Sequence, residues 1–345
     1  MNIFFRVDAS TTIGTGHIMR CLTLANFLKE NGAKVTFICA DLKGNMIEHL
    51  KSKGFEVFTV ADELEVDAQC TISIIKNMKV DLIIIDHYQI DIIWERTVRK
   101  GFPSLKMMVI DDLANREHEC DILLDQNYQD NYQFRYDQLV PKACEQLLGP
   151  RYLLLRPEFY KEEVIRESDL ISSILIFYGG SDPTGETLKL VNALNQLALS
   201  EMKIHVVVGL SNPQKDIIKD TCIEKGYKYH EQIDYLADLM AECDLAFGAG
   251  GVTMWERCYL GLPSIVTIVA ENQRESTIAA AEYGAIWNLG WHEGVKQTDL
   301  VDIIKRAIKC PSKLKELSLR SSILMQKRQR EHIHPVVKAI MEGTK

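Results

Sequence analysis

The chain has 345 residues, with 40 basic against 48 acidic side chains and a formal net charge of −8. This length favours two domains over one, and an acidic balance without a long basic run argues against nucleic acid and anionic membrane surfaces as partners. The nine cysteines are scattered without close pairs, which predicts reduced thiols and a cytoplasmic protein. Because the first residues lack the layout of a signal peptide and no apolar run would span a bilayer, we expect a soluble protein without membrane insertion and with a small-molecule ligand.

Short apolar runs alternate with amphipathic segments in the first half of the chain. We predict strands at 3–7 and 34–39 and in "DLIIIDHY" and "KMMVIDD", with a helix near 16–31 between the first two. Alternation of this kind is typical of an α/β fold with a doubly wound parallel sheet. The predicted first helix carries apolar residues at helical spacing, namely Ile18, Cys21, Leu22, Ala25 and Leu28.

The same alternation of apolar runs and amphipathic segments begins again after a charged, proline-bearing segment near residue 160. Strands are predicted in "SSILIFYGG", "KIHVVVG", "CDLAFGAGG" and "PSIVTIVA". We therefore predict two α/β domains with parallel sheets, 1–160 and 161–345. Ligands of such sheets bind at the carboxyl ends of the strands, so the loops that follow strands are the candidate binding segments. From about residue 311 the chain reads as helical, and the proline of "REHIHPVV" would start a new helix or kink the old one.

The turn after the first strand, "IGTGH" at 13–17, contains two glycines and ends in a histidine. Met19 stands where a dinucleotide fingerprint would place its third glycine, and the Gly-Lys-Ser/Thr of a Walker loop is missing. One interpretation is that Gly14 and Gly16 let a ligand approach the backbone. His17 would then lie at a helix N-terminus, where the dipole favours the neutral imidazole that a general base requires. The other is that the glycines serve packing and His17 caps the helix; the position of the loop favours the first.

Two turns in the second half are also glycine-rich. In "FYGGSDPTGE", Asp182 would cap the next helix and Pro183 would occupy its first turn. In "GAGGVTMWE", Glu256 lies one turn into the helix, where a carboxylate suits ribose hydroxyls. Two helix N-termini suit a diphosphate, although either turn by itself would also fit packing alone. The residues expected near this ligand are Gly179, Gly180, Ser181, Gly248, Gly250, Gly251 and Thr253.

Four segments together resemble one known family over nearly the whole chain: "RVDASTTIGTGHIMRCLTLA", "IIIDHYQID", "FYGGSDP" and "GAGGVTMWE…GLPSIVTIVAENQ". This family is the UDP-2,4-diacetamido-2,4,6-trideoxy-β-L-altropyranose hydrolases of pseudaminic acid biosynthesis, which serves bacterial surface glycans. The resemblance implies a glycosyltransferase B-type fold, with two Rossmann-like domains facing each other across a cleft and a last helix that crosses back to the first domain. The chain departs from the family at Val7, where alanine is common, and at Tyr178, and neither change removes a polar group from the expected site.

The resemblance also implies roles for single residues. His17 would be the base that activates water, and Tyr88 would hydrogen-bond near the sugar unless it is a partly buried aromatic with a satisfied hydroxyl. Asn272 and Gln273 would hold the sugar or the attacking water. Nucleotide contacts would come from the second domain, with the phosphates near Gly180, Ser181, Gly250, Gly251 and Thr253, uracil at the backbone of Ile233, and the ribose at Glu256.

The implied reaction is inverting attack of water at C1 of a UDP-sugar. UDP leaves as a stabilised anion, so helix N-termini and amides replace the general acid of ordinary glycosidases, and we expect no metal and no cofactor. The segments nearest to metal-ligand spacing are His118-Glu119-Cys120 and His332-Ile333-His334, which lack further ligands. Three alternatives stay open: a glycosyltransferase that uses a UDP-sugar donor, a non-catalytic nucleotide-sugar-binding protein, and a related hydrolase that acts on a different UDP- or GDP-linked sugar. The sequence makes no prediction of oligomeric state.

Overall fold

The computed structural model describes residues 1–160, 164, 170–197, 199, 201–325 and 333–343, with the side chain of Glu65 excepted. The chain divides into two compact units. The first comprises Met1–Leu155 and Gln329–Lys345, and the second comprises Arg156–Arg328. All nine cysteines lie within the described ranges and are free thiols.

The first unit is built on a seven-stranded parallel sheet. Its strands occur in the order β3-β2-β1-β4-β5-β6-β7. They are β1 (Asn2–Val7), β2 (Lys34–Ala40), β3 (Glu56–Val60), β4 (Leu82–Asp86), β5 (Lys106–Ile110), β6 (Ile122–Asp125) and β7 (Glu145–Leu148). The central strand β4 reads "LIIID" and is buried at every position, which is the pattern of a parallel strand covered on both faces.

Four helices connect the first strands of this sheet: α1 (Gly16–Glu30), α2 (Ile47–Ser52), α3 (Leu64–Ile75) and α4 (Ile92–Gly101). The five apolar residues predicted to form one face of α1 are all buried in the core of the unit. Helix α4 begins after Asp91, whose carboxylate accepts a hydrogen bond from the amide of Ile93 at 2.9 Å.

The second unit repeats this architecture with six parallel strands in the order β10-β9-β8-β11-β12-β13. The strands are β8 (Ser173–Phe177), β9 (Lys203–Val208), β10 (Lys228–Glu231), β11 (Leu245–Ala249), β12 (Ser264–Ile268) and β13 (Trp287–Trp291). The helices are α5 (Glu186–Leu194), α6 (Lys215–Lys225), α7 (Leu236–Glu242), α8 (Val252–Tyr259), α9 (Arg274–Tyr283), α10 (Gln297–Lys309) and α11 (Pro311–Leu324). The predicted α/β class with two Rossmann-like parallel sheets is confirmed.

The last helix, α12 (Pro335–Gly343), belongs to the first unit. Its residues Val336, Val337 and Ile340 are fully buried and join the hydrophobic core that contains the apolar face of α1. Just before the helix, His334 Nε2 lies 3.1 Å from the carbonyl oxygen of Leu153. The predicted helix start at the proline is therefore observed, whereas His332 lies outside the described residues.

The strand order places two crevices in this fold. In each sheet the first three strands are added in one direction, and the chain then returns to add the later strands on the other side of the first strand. As a result β1 and β4 are neighbours in one unit and β8 and β11 in the other. Parallel sheets bind ligands at such switch points, beyond the carboxyl ends of the strands. No helix within the described residues is both long and apolar enough to cross a membrane.

Candidate functional site

An open cavity of about 590 Å³ lies beyond the carboxyl ends of β1 and β4. Its walls come from the turns that follow the first four strands of the first unit. Besides hydroxyl and apolar side chains, the lining contains charged or titratable residues, namely Asp8, His17, Lys43, Asp62, Asp86 and His87. Three carboxylates against one lysine make the lining acidic.

The loop before His17 is held by its own hydrogen bonds. The hydroxyl of Ser10 accepts from the amides of Thr12 and Ile13 at 3.2 and 2.9 Å, and the amide of Gly14 donates to the Ser10 carbonyl at 2.9 Å. Gly14 has φ +81°, a backbone conformation that favours glycine. Gly16 has no such φ, and an added Cβ would meet no other described atom within 4 Å. Packing within the described residues therefore does not require glycine at position 16.

His17 lies in the first turn of α1 and pairs with a carboxylate on the neighbouring strand. Its Nδ1 is 2.6 Å from Oδ1 of Asp86, the last residue of β4, which is only 1% exposed. Burial by itself raises the pKa of Asp86, but the charge of Arg20 and the contact with His17 outweigh burial and hold it well below the usual range. An ionised carboxylate only accepts hydrogen bonds, so the proton of the neutral imidazole lies on Nδ1. This leaves Nε2 as a proton acceptor.

Asp86 receives further donors from α1. Arg20 Nη2 donates to Oδ1 at 2.7 Å and Arg20 Nε to Oδ2 at 2.9 Å, while the Cys21 thiol lies 3.3 Å from Oδ2. The guanidinium thus meets both oxygens of one carboxylate, which fixes the plane of that carboxylate. Neither Asp86 nor Arg20 is among the residues predicted from the sequence. The available signals were an aspartate at the end of an apolar strand and an arginine three residues after His17, on the same helix face.

A second histidine–aspartate pair borders the same cavity. His87 Nε2 lies 3.1 Å from Asp8 Oδ2, and His87 Nδ1 accepts the amide of Gln89 at 3.2 Å. Both ring nitrogens of His87 are therefore engaged. Asp8 is also paired with Arg6, at 2.6 Å. Burial raises the pKa of Asp8, but the hydrogen bond from His87 and the charge of Arg6 lower it well below its usual range. His87 therefore orients the turn after β4, whereas His17 has a ring nitrogen left for chemistry.

Tyr88 contacts the candidate base directly. Its ring packs edge-to-face on His17, with centroids 4.5 Å apart and planes at 85°. Both residues line the cavity. The structure therefore brings together His17 and Tyr88, two predicted site residues that lie about 70 positions apart in the sequence.

The glycine-rich turn after β8 differs in detail from the prediction. The carboxylate of Asp182 accepts from the amides of Glu186 and Thr187 at 3.1 and 2.8 Å, so it caps α5 from upstream of Gly185, the residue that precedes the helix. Pro183 consequently lies in the turn before α5 and not in its first turn. Gly180 and Ser181 are exposed in this turn, and a Cβ at Gly180 would meet nothing within 4 Å.

The turn after β11 packs against the segment that follows β12. The Gly250 amide donates to Gln273 Oε1 at 3.2 Å, and that oxygen also accepts from the Val269 amide at 3.3 Å. A Cβ at Gly250 would collide with the hydroxyl of Thr277, so packing alone requires glycine there. Gly251 and Gln273 are neighbours as well, because a Cβ at Gly251 would lie 3.5 Å from Gln273 Nε2.

The remaining predicted nucleotide contacts occupy varied environments. Glu256 is 3% exposed, and its carboxylate accepts from Arg156 Nε at 3.1 Å. Burial raises the pKa of Glu256 in spite of this partner. The Thr253 hydroxyl accepts from Arg257 Nη1 at 3.3 Å. Ile233 is half-buried after β10, and Asn272 is exposed in the short turn before α9. The nucleotide roles of these residues stay predictions.

The described residues contain no group of three or more His, Cys, Asp or Glu side chains placed to hold a metal ion. His118, one of the residues with metal-like spacing, is buried and its Nδ1 lies 2.7 Å from Glu95 Oε1. Cys120 Sγ lies 3.6 Å from Cys144 Sγ. These contacts are those of a packed interior.

The chain has relatives among characterised and uncharacterised proteins, although no protein-family model matches it. An uncharacterized protein of Methanocaldococcus jannaschii is 29% identical over 285 residues, which are 80% of this chain but 57% of that protein. The UDP-2,4-diacetamido-2,4,6-trideoxy-β-L-altropyranose hydrolase of Campylobacter jejuni is 30% identical over 243 residues, which are 70% of this chain and 82% of that enzyme. The spore coat polysaccharide biosynthesis protein SpsG of Bacillus subtilis is 26% identical over 306 residues, 87% of each chain.

Solved structures share the fold at low identity. MurG of Acinetobacter baumannii has a TM-score of 0.68 at 14% identity and covers 99% of each chain. The spinosyn rhamnosyltransferase SpnG, complexed with thymidine diphosphate, has a TM-score of 0.64 at 12% identity and covers 100% of each chain. These likenesses show a glycosyltransferase B-type fold. With that fold, and with 30% identity across 82% of the C. jejuni enzyme, the chain belongs to the family of UDP-2,4-diacetamido-2,4,6-trideoxy-β-L-altropyranose hydrolases.

Proposed function

We propose that this protein is a nucleotide-sugar-processing enzyme of surface glycan biosynthesis that hydrolyses UDP-2,4-diacetamido-2,4,6-trideoxy-β-L-altropyranose to UDP and the free sugar. The observation that carries the proposal is the His17–Asp86 pair at 2.6 Å on the wall of the first-unit cavity. A carboxylate that fixes the protonated nitrogen of a histidine, and leaves the other nitrogen free, is the arrangement of a general base.

In the proposed reaction a water oxygen attacks C1 of the sugar, and its proton passes to Nε2 of His17. The C1–O bond breaks, and its electron pair leaves with the β-phosphate oxygen of UDP. The proton on Nε2 then returns to solvent. Attack opposite the leaving group inverts the configuration at C1, and UDP needs no protonation because its charge is delocalised and stabilised by amide donors.

The charges and exposed turns of the two units support different ligand groups for each: the sugar for the first unit and the nucleotide for the second. Among the described residues, Lys43 is the one lysine or arginine that lines the first-unit cavity, because the nearby Arg6 and Arg20 are paired with Asp8 and Asp86. The cavity therefore suits a neutral sugar and water better than a diphosphate. The first-turn amides of α5 are taken by Asp182, but Gly180 and Ser181 upstream of them are exposed, and a Cβ at Gly180 would meet nothing within 4 Å. A phosphate could therefore approach the backbone of this turn closely. We assign the sugar to the cavity and the nucleotide to the turns after β8 and β11.

A second candidate is a glycosyltransferase with a UDP-sugar donor. It is favoured by the solved structures of this fold, which include the spinosyn rhamnosyltransferase SpnG. In that case the hydroxyl of an acceptor would replace water beside His17. Fold likeness by itself does not choose between the two, because one fold hosts many activities.

The deciding experiment is mass spectrometry of the products formed from the UDP-linked sugar in ¹⁸O water, with chelator and without an acceptor. Label in the free sugar and unlabelled UDP would support metal-independent hydrolysis at C1. Label in UDP would mean attack at phosphorus and would contradict the proposed step. Tight UDP binding without turnover would contradict the hydrolase and favour a transferase or a non-catalytic binding protein.

A matched pair of variants assigns the base. We expect His17→Asn to lose turnover and His49→Asn, a change of a half-buried histidine on α2 outside the cavity, to retain it. UDP affinity measured by calorimetry should be equal in both variants. Loss of UDP binding in His17→Asn would mean that the residue shapes a binding loop and would remove the base from the proposal.

A further inference from the structure

Arg20 lies one helical turn after His17 on α1 and is 7% exposed. Its guanidinium forks onto both oxygens of Asp86, at 2.7 and 2.9 Å, and its Nη2 also lies 3.3 Å from His17 Nδ1. Arg20 is not part of the cavity wall. It therefore acts on the site through Asp86 and His17 and not through a ligand.

The Asp86 carboxylate is a buried negative charge. A buried anion requires a positive partner, because desolvation is costly for an unpaired charge. Two groups beside it can carry a positive charge, namely Arg20 and a protonated His17. Only the first leaves the imidazole able to accept a proton, since an imidazolium has a proton on each nitrogen.

The other groups packed around this pair do not supply the charge. Cys21 is a neutral donor, and burial raises the pKa of its thiol well above the usual value. The Tyr88 ring faces His17 from the turn after β4. Asp112, which follows β5, adds a negative charge 3.3 Å from Arg20 Nη1. The other buried arginine nearby, Arg6, is paired with Asp8 and Asp67 at 2.6 Å each.

We propose that Arg20 is a positioning residue that compensates the charge of Asp86, so that His17 remains a neutral base with its Nε2 turned to the substrate. This inference rests on the proposed function. The guanidinium supplies the counter-charge, and because its Nη2 lies 3.3 Å from Nδ1, it disfavours a positive charge on the imidazole ring. The two parallel hydrogen bonds hold the carboxylate in one plane and thereby hold the ring.

The test compares the pH dependence of kcat in three variants. Arg20→Gln removes the charge, Arg20→Lys keeps the charge without the fork, and Arg99→Gln is the control. Arg99 is a partly buried arginine of the same unit that pairs with Asp121 at 3.0 Å and does not touch the site. We expect Arg20→Gln to shift the acidic limb of the profile upward by about one pH unit or more, which means a roughly tenfold slower rate below the limb. Its rate should approach that of Arg20→Lys at alkaline pH.

Arg20→Lys should keep the acidic limb near its position in the parent. At pH 7 its kcat should fall by less than the kcat of Arg20→Gln. Arg99→Gln should keep both the limb and kcat. An acidic limb of Arg20→Gln that coincides with the parent limb, or a loss of kcat that is equal at every pH, would overturn the proposal. The second result would point to a structural role for Arg20.

Asp112→Asn provides an independent variant if Arg20→Gln does not fold. It leaves the fork on Asp86 intact and removes a negative charge from the far side of Arg20, so the acidic limb should move to lower pH. No movement or an upward movement would contradict charge compensation. A downward shift of the limb carries its own control, because a general loss of stability does not move the limb to lower pH.

A measurement without substrate separates this inference from the proposed function. In ¹⁵N-histidine-labelled protein, the His17 ring signals are assigned by their disappearance in His17→Asn. We expect the ring to become protonated at higher pH in Arg20→Gln than in the parent. If the parent hydrolyses no UDP-sugar, the proposed function fails, and this titration still decides the role of Arg20. Equal titration in the two proteins would overturn the inference even if the parent is an active hydrolase.

Discussion

Replacing Asp86 with asparagine tests the chemistry of the site most directly. The carboxylate accepts from His17 Nδ1 at 2.6 Å, from two nitrogens of Arg20 and from the Cys21 thiol. A carboxamide offers one oxygen and an NH₂ group in place of two acceptors. Oδ1 faces both His17 and Arg20 Nη2, whereas Oδ2 faces Arg20 Nε and Cys21. An asparagine whose oxygen takes the Oδ2 place therefore turns its NH₂ group to His17, and Nδ1 must then accept a hydrogen bond. The ring proton moves to Nε2, and the nitrogen that should take the proton from water is blocked.

The magnitude follows from the loss of the correct tautomer. In a serine protease the equivalent change lowers kcat by about 10⁴-fold, which corresponds to about 5.5 kcal/mol of transition-state stabilisation. Asp86→Asn should therefore lower kcat by roughly 10³–10⁴-fold. Stability falls too, because Arg20 loses a buried anionic partner, and breaking such a pair costs about 3–5 kcal/mol. Asp112, 3.3 Å from Arg20, remains as a partner and should keep the loss near the lower figure.

The assay is UDP release at saturating UDP-sugar, with calorimetric UDP binding and thermal unfolding measured on the same preparation. Asp121→Asn is the matched control, because Asp121 pairs with Arg99 in the same unit, away from the cavity. We expect the control to lose stability but not kcat. A kcat of Asp86→Asn within about threefold of the parent, in protein that is folded and binds UDP, would refute the assignment of His17 and Asp86 as the base and its orienting carboxylate.

Three further predictions follow from other parts of the chain. His17→Asn should lower turnover of the UDP-sugar by roughly 10²–10⁴-fold with UDP affinity unchanged, and unchanged turnover would exclude His17 as the base. His205 is neutral when folded, because burial and the adjacent His230 lower its pKa to about 4. The unfolded chain therefore binds more protons than the folded chain between about pH 6.5 and 4. His205 does not reduce the free energy of unfolding above about pH 6.5, and it reduces that free energy progressively as the pH falls to about 4. His205→Gln should reduce the drop in unfolding free energy between pH 7 and 4 by about 1–2 kcal/mol, measured by urea titration, and an unchanged drop would contradict the shift. Gly250→Ala should cost about 1–3 kcal/mol of stability in the same assay through collision with the Thr277 hydroxyl, whereas a neutral effect would show that the turn relaxes.

The elements of the fold could be predicted from the sequence because local patterns encode them. The run "LIIID" is a buried parallel strand, and the apolar spacing of α1 gives the face that packs into the core. The loop before His17 was selected from its glycines and its place after a strand. All of these signals lie within a window of about 20 residues.

The partners of His17 could not be predicted, because they depend on which strands become neighbours. Asp86 lies 69 positions along the chain from His17, and the two meet only because β1 and β4 are adjacent. Arg20 would be assigned to the solvated face of an amphipathic helix, since an arginine is rarely buried without a partner. Its burial follows from a carboxylate on another strand, and helix periodicity carries no information on that carboxylate.

The division of the chain also has a consequence for biosynthesis. The first unit is discontinuous, because Gln329–Lys345 completes a body that otherwise ends at Leu155. Val336, Val337 and Ile340 fill part of its hydrophobic core. During translation the N-terminal 155 residues emerge without these side chains, so the apolar face of α1 stays partly uncovered until the whole second unit has been synthesised. Maturation of the candidate site, whose proposed base is carried by α1, is thereby coupled to synthesis of the last helix.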